Sequence, residues 1–399
     1  MEVTLLGTGA PEGLPRPDCP CAVCATARGA HARAATALLV DGALLLDLTP
    51  GAAQAAARAG HALTGVRQVL LTHPHDGPPV ELPAGLPAAG RVPDGRELTL
   101  ISGHRVRAVP MDAPGTGYEV TSLEGRRLLY LPPGGAPAGV AGGRRPYDMV
   151  VADVTGRPDA LARLRAAGGV GPATDVVAAH LDHDVPGGRE LDRRLAAAGA
   201  RAVPDGSTLR AGDARAVPVV PRRTLVTGGA RSGKSVEAER RLEAFPEVLY
   251  VATGGARNGD TEWAERVTAH RDRRPASWRT EETCDLVPLL AADGPPLLVD
   301  CLSLWLTDAM DRVGAWDDAT WAASGGRELR ERVAELVAAV RSTSRTVVAV
   351  TNEVGAGIVP ADAGSRRFRD ELGRLNAALA GECEQVLLVV AGQALVLRG

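Results

Sequence analysis

The chain has 399 residues, 45% hydrophobic and 23% charged, with 45 Lys+Arg against 48 Asp+Glu and a formal net charge of -3. That is globular composition, the length suggests two or three domains, and the near-neutral balance speaks against broad nonspecific nucleic-acid binding. No apolar run approaches the roughly 20 residues of a membrane span, residues 1–8 lack the basic cluster of a signal peptide, and six cysteines in this length make no disulfide framework. A cytoplasmic protein is the expectation.

In chain order, strands are predicted at residues 3–7, 37–40, 43–47, 69–72, 98–102, 105–110, 118–122, 127–131 and 149–153. Helices follow at 159–167 and 189–198. Many strands and few helices predict an αββα sandwich over residues 1–215. The segment 214–223 (ARAVPVVPRR) has two prolines and no helical period, so residues 216–222 read as a linker. Beyond it, in residues 223–399, strands at 225–227, 248–252, 296–300, 346–351 and 385–390 alternate with helices at 235–244, 262–274, 327–341 and 365–380. Short apolar strands separated by helices predict a mainly parallel α/β sheet.

Aromatic residues are only 3%, so the cores must be built from Ala, Val and Leu. Basic charge is almost wholly arginine, and Lys234 is the only lysine. It sits in Gly228-Gly229-Ala230-Arg231-Ser232-Gly233-Lys234-Ser235, a complete Gly-x4-Gly-Lys-Ser phosphate loop between a strand and a helix. Arg cannot replace a compact ammonium inside such a loop, which is a chemical reason for the exception. The loop implies a nucleoside triphosphate, with Lys234 on the β and γ phosphates and Ser235 on Mg²⁺. Asp300, closing an apolar strand, supplies the acid that Mg²⁺ also needs.

His270 is the only histidine of the C-terminal half. On a helix over 262–274, Arg266, Arg273 and Arg274 lie one turn away. Neighbouring positive charge keeps an imidazole neutral and stabilises an attacked phosphorus, as a nucleophile requires. Spacing alone favours the plainer reading, a solvated arginine-rich helix with an incidental histidine.

Residues 227–235 (TGGARSGKS), 251–253 (VAT), His270 with 271–275, Trp278-Arg279-Thr280 and 351–360 (TNEVGAGIVP) together resemble the bifunctional adenosylcobinamide kinase/adenosylcobinamide-phosphate guanylyltransferase family of cobalamin assembly. The resemblance covers essentially all of 223–399. It implies phosphorylation of adenosylcobinamide by ATP or GTP, then transfer of GMP from GTP to the new phosphate with release of pyrophosphate. It also implies a guanylyl-histidine intermediate at His270, and a small homo-oligomer, a trimer. Thr253, Gly254, Gly255, Arg271, Asp272, Arg273, Arg274 and Glu282 would line the nucleotide site. Asp300 stands where the family more often has Glu, and an insertion of about two residues falls near 256–259. Asn352 and Glu353 close a strand where open α/β sheets place ligands, on the acceptor side.

The N-terminal part resembles the metallo-β-lactamase fold, through residues 3–9 (VTLLGTG), Cys19-x-Cys21-x-x-Cys24 and 70–75 (LLTHPH). The fold's His-x-His-x-Asp-His metal motif is broken here: His73 and His75 remain, Asp76 is shifted, and Gly77-Pro78 replace the last pair. A degenerate domain is expected, with Asp153, His180 or His183 matching later ligands of the fold. Cys19, Cys21 and Cys24 can share one structural Zn²⁺ if His31, His180 or His183 supplies the fourth ligand; three free buried thiols are the alternative. Cys284, Cys301 and Cys383 read as core. Rival readings are a GTP-binding regulatory module, a kinase for another small alcohol, and an N-terminal metal-dependent phosphoesterase.

Overall fold

The computed structural model describes residues 1–73, 83–139, 145–213, 220–254, 268 and 274–399. The chain divides into two compact units, Met1–Val220 and Pro221–Gly399. Most of the predicted linker, like the predicted helix over 262–274, falls outside the described residues.

The N-terminal unit contains β1 (Glu2–Gly7), α1 (Ala22–Thr26), β2 (Ala37–Val40), β3 (Leu44–Leu46), α2 (Ala52–Arg58), β4 (Gln68–Leu70), β5 (Ala89–Gly90), β6 (Glu97–Thr99), β7 (Arg105–Pro110), β8 (Thr116–Thr121), β9 (Arg127–Tyr130), β10 (Met149–Ala152), α3 (Pro158–Ala166), β11 (Asp175–Ala178), α4 (Arg189–Ala197) and β12 (Ser207–Arg210). Among the described residues two six-stranded sheets form, in the orders β12-β1-β2-β3-β4-β5 and β11-β10-β9-β8-β7-β6. Successive side chains of a strand point to opposite faces. Leu38 and Leu46 accordingly meet Tyr118, Leu128 and Val151 of the other sheet in one core. Leu39 and Leu45 point the other way and bury Ala52 and Ala56 of α2. Strands apolar on both faces are what a sheet covered on both sides requires. This is the two-sheet sandwich predicted for residues 1–215, with α2 packed on the outer face of the first sheet.

The C-terminal unit contains β13 (Arg223–Gly228), α5 (Lys234–Arg240), β14 (Leu249–Ala252), β15 (Arg279–Glu282), α6 (Leu286–Ala291), β16 (Leu297–Asp300), α7 (Leu302–Arg312), α8 (Gly326–Ser342), β17 (Val347–Asn352), α9 (Ala363–Glu382), β18 (Gln385–Val390) and β19 (Gln393–Arg398). Among the described residues seven strands run β15-β14-β16-β17-β13-β18-β19. All are parallel except β19, which pairs antiparallel with β18. Alternation along β13 sends Leu225 into a core with α6, α7, α8 and α9. Val226 points to the opposite face, against Ala238 of α5. The sheet is therefore covered on both faces, and its C-terminal edge is left to carry ligands. The helix after the glycine loop is shorter than predicted, ending at Arg240 rather than at residue 244.

Candidate functional site

The glycine loop leaves β13, the strand between β17 and β18. Gly233 has φ +97°, a left-handed conformation that favours glycine, and Arg231 is also left-handed at φ 58°. Gly233 lies so close to the β18–β19 turn that an added Cβ would sit 3.3 Å from the Gly392 Cα. From that turn, the Gly392 N–H donates to the Ser232 carbonyl at 2.9 Å. The loop backbone is thus fixed from outside. Lys234 is buried at the start of α5, and its ammonium donates to the Gly229 carbonyl at 3.1 Å. The Ser232 hydroxyl is buried, with no hydrogen-bond partner among the described residues. A buried hydroxyl with no partner among the described residues, in a loop whose ammonium folds back onto its own carbonyl, fits a site built for phosphate oxygens.

Asp300 ends β16, and its Oδ2 accepts from the Tyr250 hydroxyl at 2.8 Å. Burial, with the Asp300 charge second, pushes the Tyr250 pKa well above its ordinary value, so this hydroxyl stays a donor. The Arg274 guanidinium lies 3.7 Å from the centre of the Tyr250 ring and donates to Thr280 Oγ1 at 2.8 Å. Tyr250 thereby links two residues picked out from the sequence, Asp300 and Arg274.

A third group lies along the same sheet edge. Thr253 Oγ1 donates to the Cys301 carbonyl at 2.6 Å and accepts from the Cys301 N–H at 2.9 Å. Thr253, Gly254 and Glu282 line one cavity of about 300 Å³, together with Cys284, Thr307, Asp308 and Asp311. Burial pushes the Cys284 thiol up to about 11. Sequence reasoning missed Tyr250, Thr307, Asp308 and Asp311. A signal existed for the last three, which put one polar face on an otherwise apolar segment, 302–312. On the far side of the edge, Glu353 N–H donates to the Gly228 carbonyl at 3.1 Å. Asn352 Nδ2 donates to Ser303 Oγ at 3.1 Å. His270, Gly255, Arg271, Asp272 and Arg273 lie outside the described residues.

In the N-terminal unit the ligand atoms of Cys19, Cys21, Cys24 and His183 all lie within 4.8 Å of one another. His183 Nδ1 stands 3.2, 3.8 and 3.5 Å from the three sulfurs. Bonds of about 2.3 Å to sulfur and 2.0 Å to nitrogen in a tetrahedron give separations of this size, so the donor set fits Zn²⁺. A hydrogen bond from the Cys24 N–H pulls the Cys21 thiol down to about 7, toward the thiolate a metal needs. Of the three histidines considered from sequence, His183 joins the cluster. His31 packs against Gly187 and Gly188, and His180 Nε2 lies 3.0 Å from the Leu131 carbonyl oxygen.

The broken histidine motif begins at His73, whose Nδ1 is 2.8 Å from Thr72 Oγ1; His75 and Asp76 lie outside the described residues. Buried Asp47 nearby already accepts from Tyr130 OH at 2.7 Å and from the Thr72 N–H and hydroxyl. Asp153 accepts from the Gly156 and Gly134 N–H groups, at 2.7 and 3.3 Å. Burial holds the His180 imidazole neutral, lowering it to about 4.

A parallel sheet whose central strand feeds a fixed Gly-x4-Gly-Lys-Ser turn makes the C-terminal unit a P-loop nucleotide-binding domain. The family described as cobinamide kinase / cobinamide phosphate guanyltransferase matches residues 224–397. The bifunctional adenosylcobalamin biosynthesis protein CobU of Salmonella typhimurium is 42% identical over 174 residues, 42% of this chain and 95% of that protein. CobP of Pseudomonas aeruginosa, described in the same words, is 42% identical over 182 residues, 44% of this chain and 98% of that protein. The chain belongs to this family of bifunctional cobinamide kinases and cobinamide-phosphate guanylyltransferases. Similar solved structures include a diphosphatase of the PhnP family, 20% identical, with a TM-score of 0.40 over 52% of this chain and 97% of that one. Zn²⁺-bound PqqB from Methylobacterium extorquens is 18% identical, with a TM-score of 0.37 over 53% of this chain and 100% of that one.

Proposed function

We propose that one P-loop, Gly228–Ser235, serves both reactions of this cobalamin-pathway enzyme. In the first, a hydroxyl of adenosylcobinamide attacks the γ-phosphorus of ATP or GTP, the bond to the β-bridging oxygen breaks, and the nucleoside diphosphate leaves. In the second, the His270 imidazole attacks the α-phosphorus of GTP and pyrophosphate departs with the electron pair of the broken bond. The phosphate of adenosylcobinamide phosphate then attacks the guanylyl phosphorus, the P–N bond breaks, and adenosylcobinamide-GDP forms. The observation that carries the reading is the fixed loop with its buried lysine and a Ser232 hydroxyl that has no partner among the described residues.

Lys234 exchanges its bond to the Gly229 carbonyl for the β and γ phosphate oxygens. Ser235 and Asp300 would hold Mg²⁺, which neutralises charge on those oxygens when bound. Tyr250 keeps the Asp300 carboxylate turned toward the edge. Thr253, Gly254, Gly255, Glu282 and residues 271–274 would enclose the nucleoside, Thr253, Gly254 and Glu282 through the 300 Å³ cavity. Family resemblance adds a homotrimer in the cytoplasm; among the described residues no helix is long and apolar enough to cross a membrane.

The N-terminal unit is read as a metallo-β-lactamase-like domain without hydrolase chemistry. Cys19, Cys21, Cys24 and His183 would hold one Zn²⁺ there, tying α1 to the segment after β11. Supporting this, Gly77-Pro78 replace an Asp-His pair, and the Asp47 carboxylate is already taken up by Thr72 and Tyr130. The test is transfer from γ-labelled ATP or GTP to adenosylcobinamide by wild type and Lys234→Ala. Labelled product from wild type and at least a hundredfold less from the variant is expected. Equal transfer by both removes the P-loop from the reaction.

A further inference from the structure

A P-loop grips a nucleotide, yet the larger substrate of this family is the acceptor, a broad corrin macrocycle edged with methyl groups and amide arms. Its hydroxyl must reach the γ-phosphate, so the ring has to rest near the C-terminal end of β13. Two large apolar side chains stand in solvent beside that end. Ile358 is 96% exposed and Val359 is 60% exposed. Both lie in the loop 353–362, which leaves β17, the hydrogen-bonded neighbour of β13. Gly228 of the phosphate loop pairs in register with Asn352, the last residue before that loop. Neighbouring strands lie about 4.8 Å apart, so the loop starts directly beside the phosphate site.

The loop is held at both ends. Glu353 N–H bonds to the Gly228 carbonyl, and Val354 packs on the main core. Gly355 N–H donates to Glu353 Oε1 at 3.0 Å. At the far end Arg366 donates to the Pro360 carbonyl at 3.0 Å, and Asp362 caps α9 by accepting from Ser365 N–H at 2.7 Å. Trp316, itself partly exposed, rests against Gly364 in the first turn of α9. An anchored loop with an apolar tip cannot bury that tip against its own unit, and water is an unfavourable resting environment for it.

We propose that Ile358 and Val359 are the apolar platform on which the corrin ring of adenosylcobinamide lies while its aminopropanol arm reaches into the P-loop. The proposal rests on the kinase/guanylyltransferase reading and adds the residues that hold the acceptor. Apolar side chains suit the methyl-edged ring face, and the small Gly355 and Gly357 leave room for its rim. The platform contributes to acceptor binding alone, and the nucleotide sites are untouched by it.

The test uses the full chain as wild type, Ile358→Ser, Val359→Ser and, as a control, Leu397→Ser, an exposed apolar residue on β19. Binding of adenosylcobinamide is measured by equilibrium dialysis, read from corrin absorbance, and GTP binding by calorimetry. Light scattering gives the oligomeric state. The platform predicts about tenfold weaker corrinoid binding in Ile358→Ser, the size expected for an uncovered isoleucine. It predicts a smaller loss in Val359→Ser, and unchanged GTP affinity and assembly in both. Leu397→Ser matches wild type. Unchanged corrinoid binding overturns the platform, as does a parallel loss of GTP affinity. A change of assembly with corrinoid binding intact assigns the loop to a second copy of the chain instead. Wild type that binds no corrinoid at all overturns the functional reading itself, a result separable from each of these.

Discussion

Gly228 and Gly229 are neighbours in the phosphate loop, and they should respond in opposite ways to the same substitution. A Cβ built on Gly228 would lie 2.5 Å from the Val389 carbonyl oxygen and 2.6 Å from Ser232 Oγ. Val389 is the residue paired with Gly228 across the β13–β18 ladder, so the obstacle is backbone and cannot rotate away. Overpacking of this kind costs about 1–3 kcal/mol. For a domain of this size that lowers Tm by roughly 2–12 °C. At Gly229 an added Cβ meets nothing within 4 Å, so Gly229→Ala should leave Tm within about 2 °C of wild type. The assay is scanning calorimetry of the full chain, with the C-terminal transition identified by its upward shift with GTP. Gly228→Ala should also bind GTP at least tenfold more weakly, because the displaced Ser232 carries the loop with it. Coincident transitions for the two variants, or a larger loss from Gly229→Ala, would show that the Val389 carbonyl does not set the limit at Gly228.

Three further outcomes are expected. Elemental analysis should find one zinc per wild-type chain and none in Cys24→Ser or His183→Ala; zinc retained by Cys24→Ser would place the metal elsewhere. His180 is held neutral by burial, lowered from 6.5 to about 4, so the unfolded chain binds more protons between those values. Stability from this residue is complete above pH 6.5 and falls by roughly 3 kcal/mol as pH drops to 4. Urea titrations at pH 4.5 and 7 should differ less for His180→Asn than for wild type, and an equal difference would show that His180 is not responsible. Asp300→Asn keeps an oxygen for the Tyr250 hydroxyl but loses the charge. It should raise the Mg²⁺ concentration for half-maximal activity about tenfold or more, and an unchanged Mg²⁺ dependence would remove Asp300 from the metal site.

The fold was legible where its signals are local. The β13–loop–α5 unit follows from eight consecutive residues, and the alternation of strand and helix that surrounds it follows from short apolar runs. β15 escaped because Arg279-Thr280-Glu281-Glu282 is an exposed edge strand with no apolar face to read. β19 escaped because only Ala391 and Gly392 separate it from β18, and its antiparallel return depends on a turn with positive φ at both. The site divides in the same way. The three cysteines sit within six residues, but their partner His183 is about 160 residues further on, and only the packing of two sheets chooses it over His31 and His180. Tyr250 carries no signal of its own, since its role is defined by pairing β14 beside β16. Asp308 and Asp311 become cavity residues only once α7 is laid over the ends of β14 and β15.

On the proposed mechanism, GMP passes through His270 on its way from GTP to the corrinoid. The full chain, as wild type and as His270→Ala, would be incubated with α-labelled GTP and Mg²⁺, then denatured and run on a gel with and without acid treatment. An acid-labile label is expected on wild type, released by adenosylcobinamide phosphate, and no label on His270→Ala although that variant still binds GTP. Label of equal intensity on His270→Ala would contradict it, and so would label on wild type that adenosylcobinamide phosphate cannot remove.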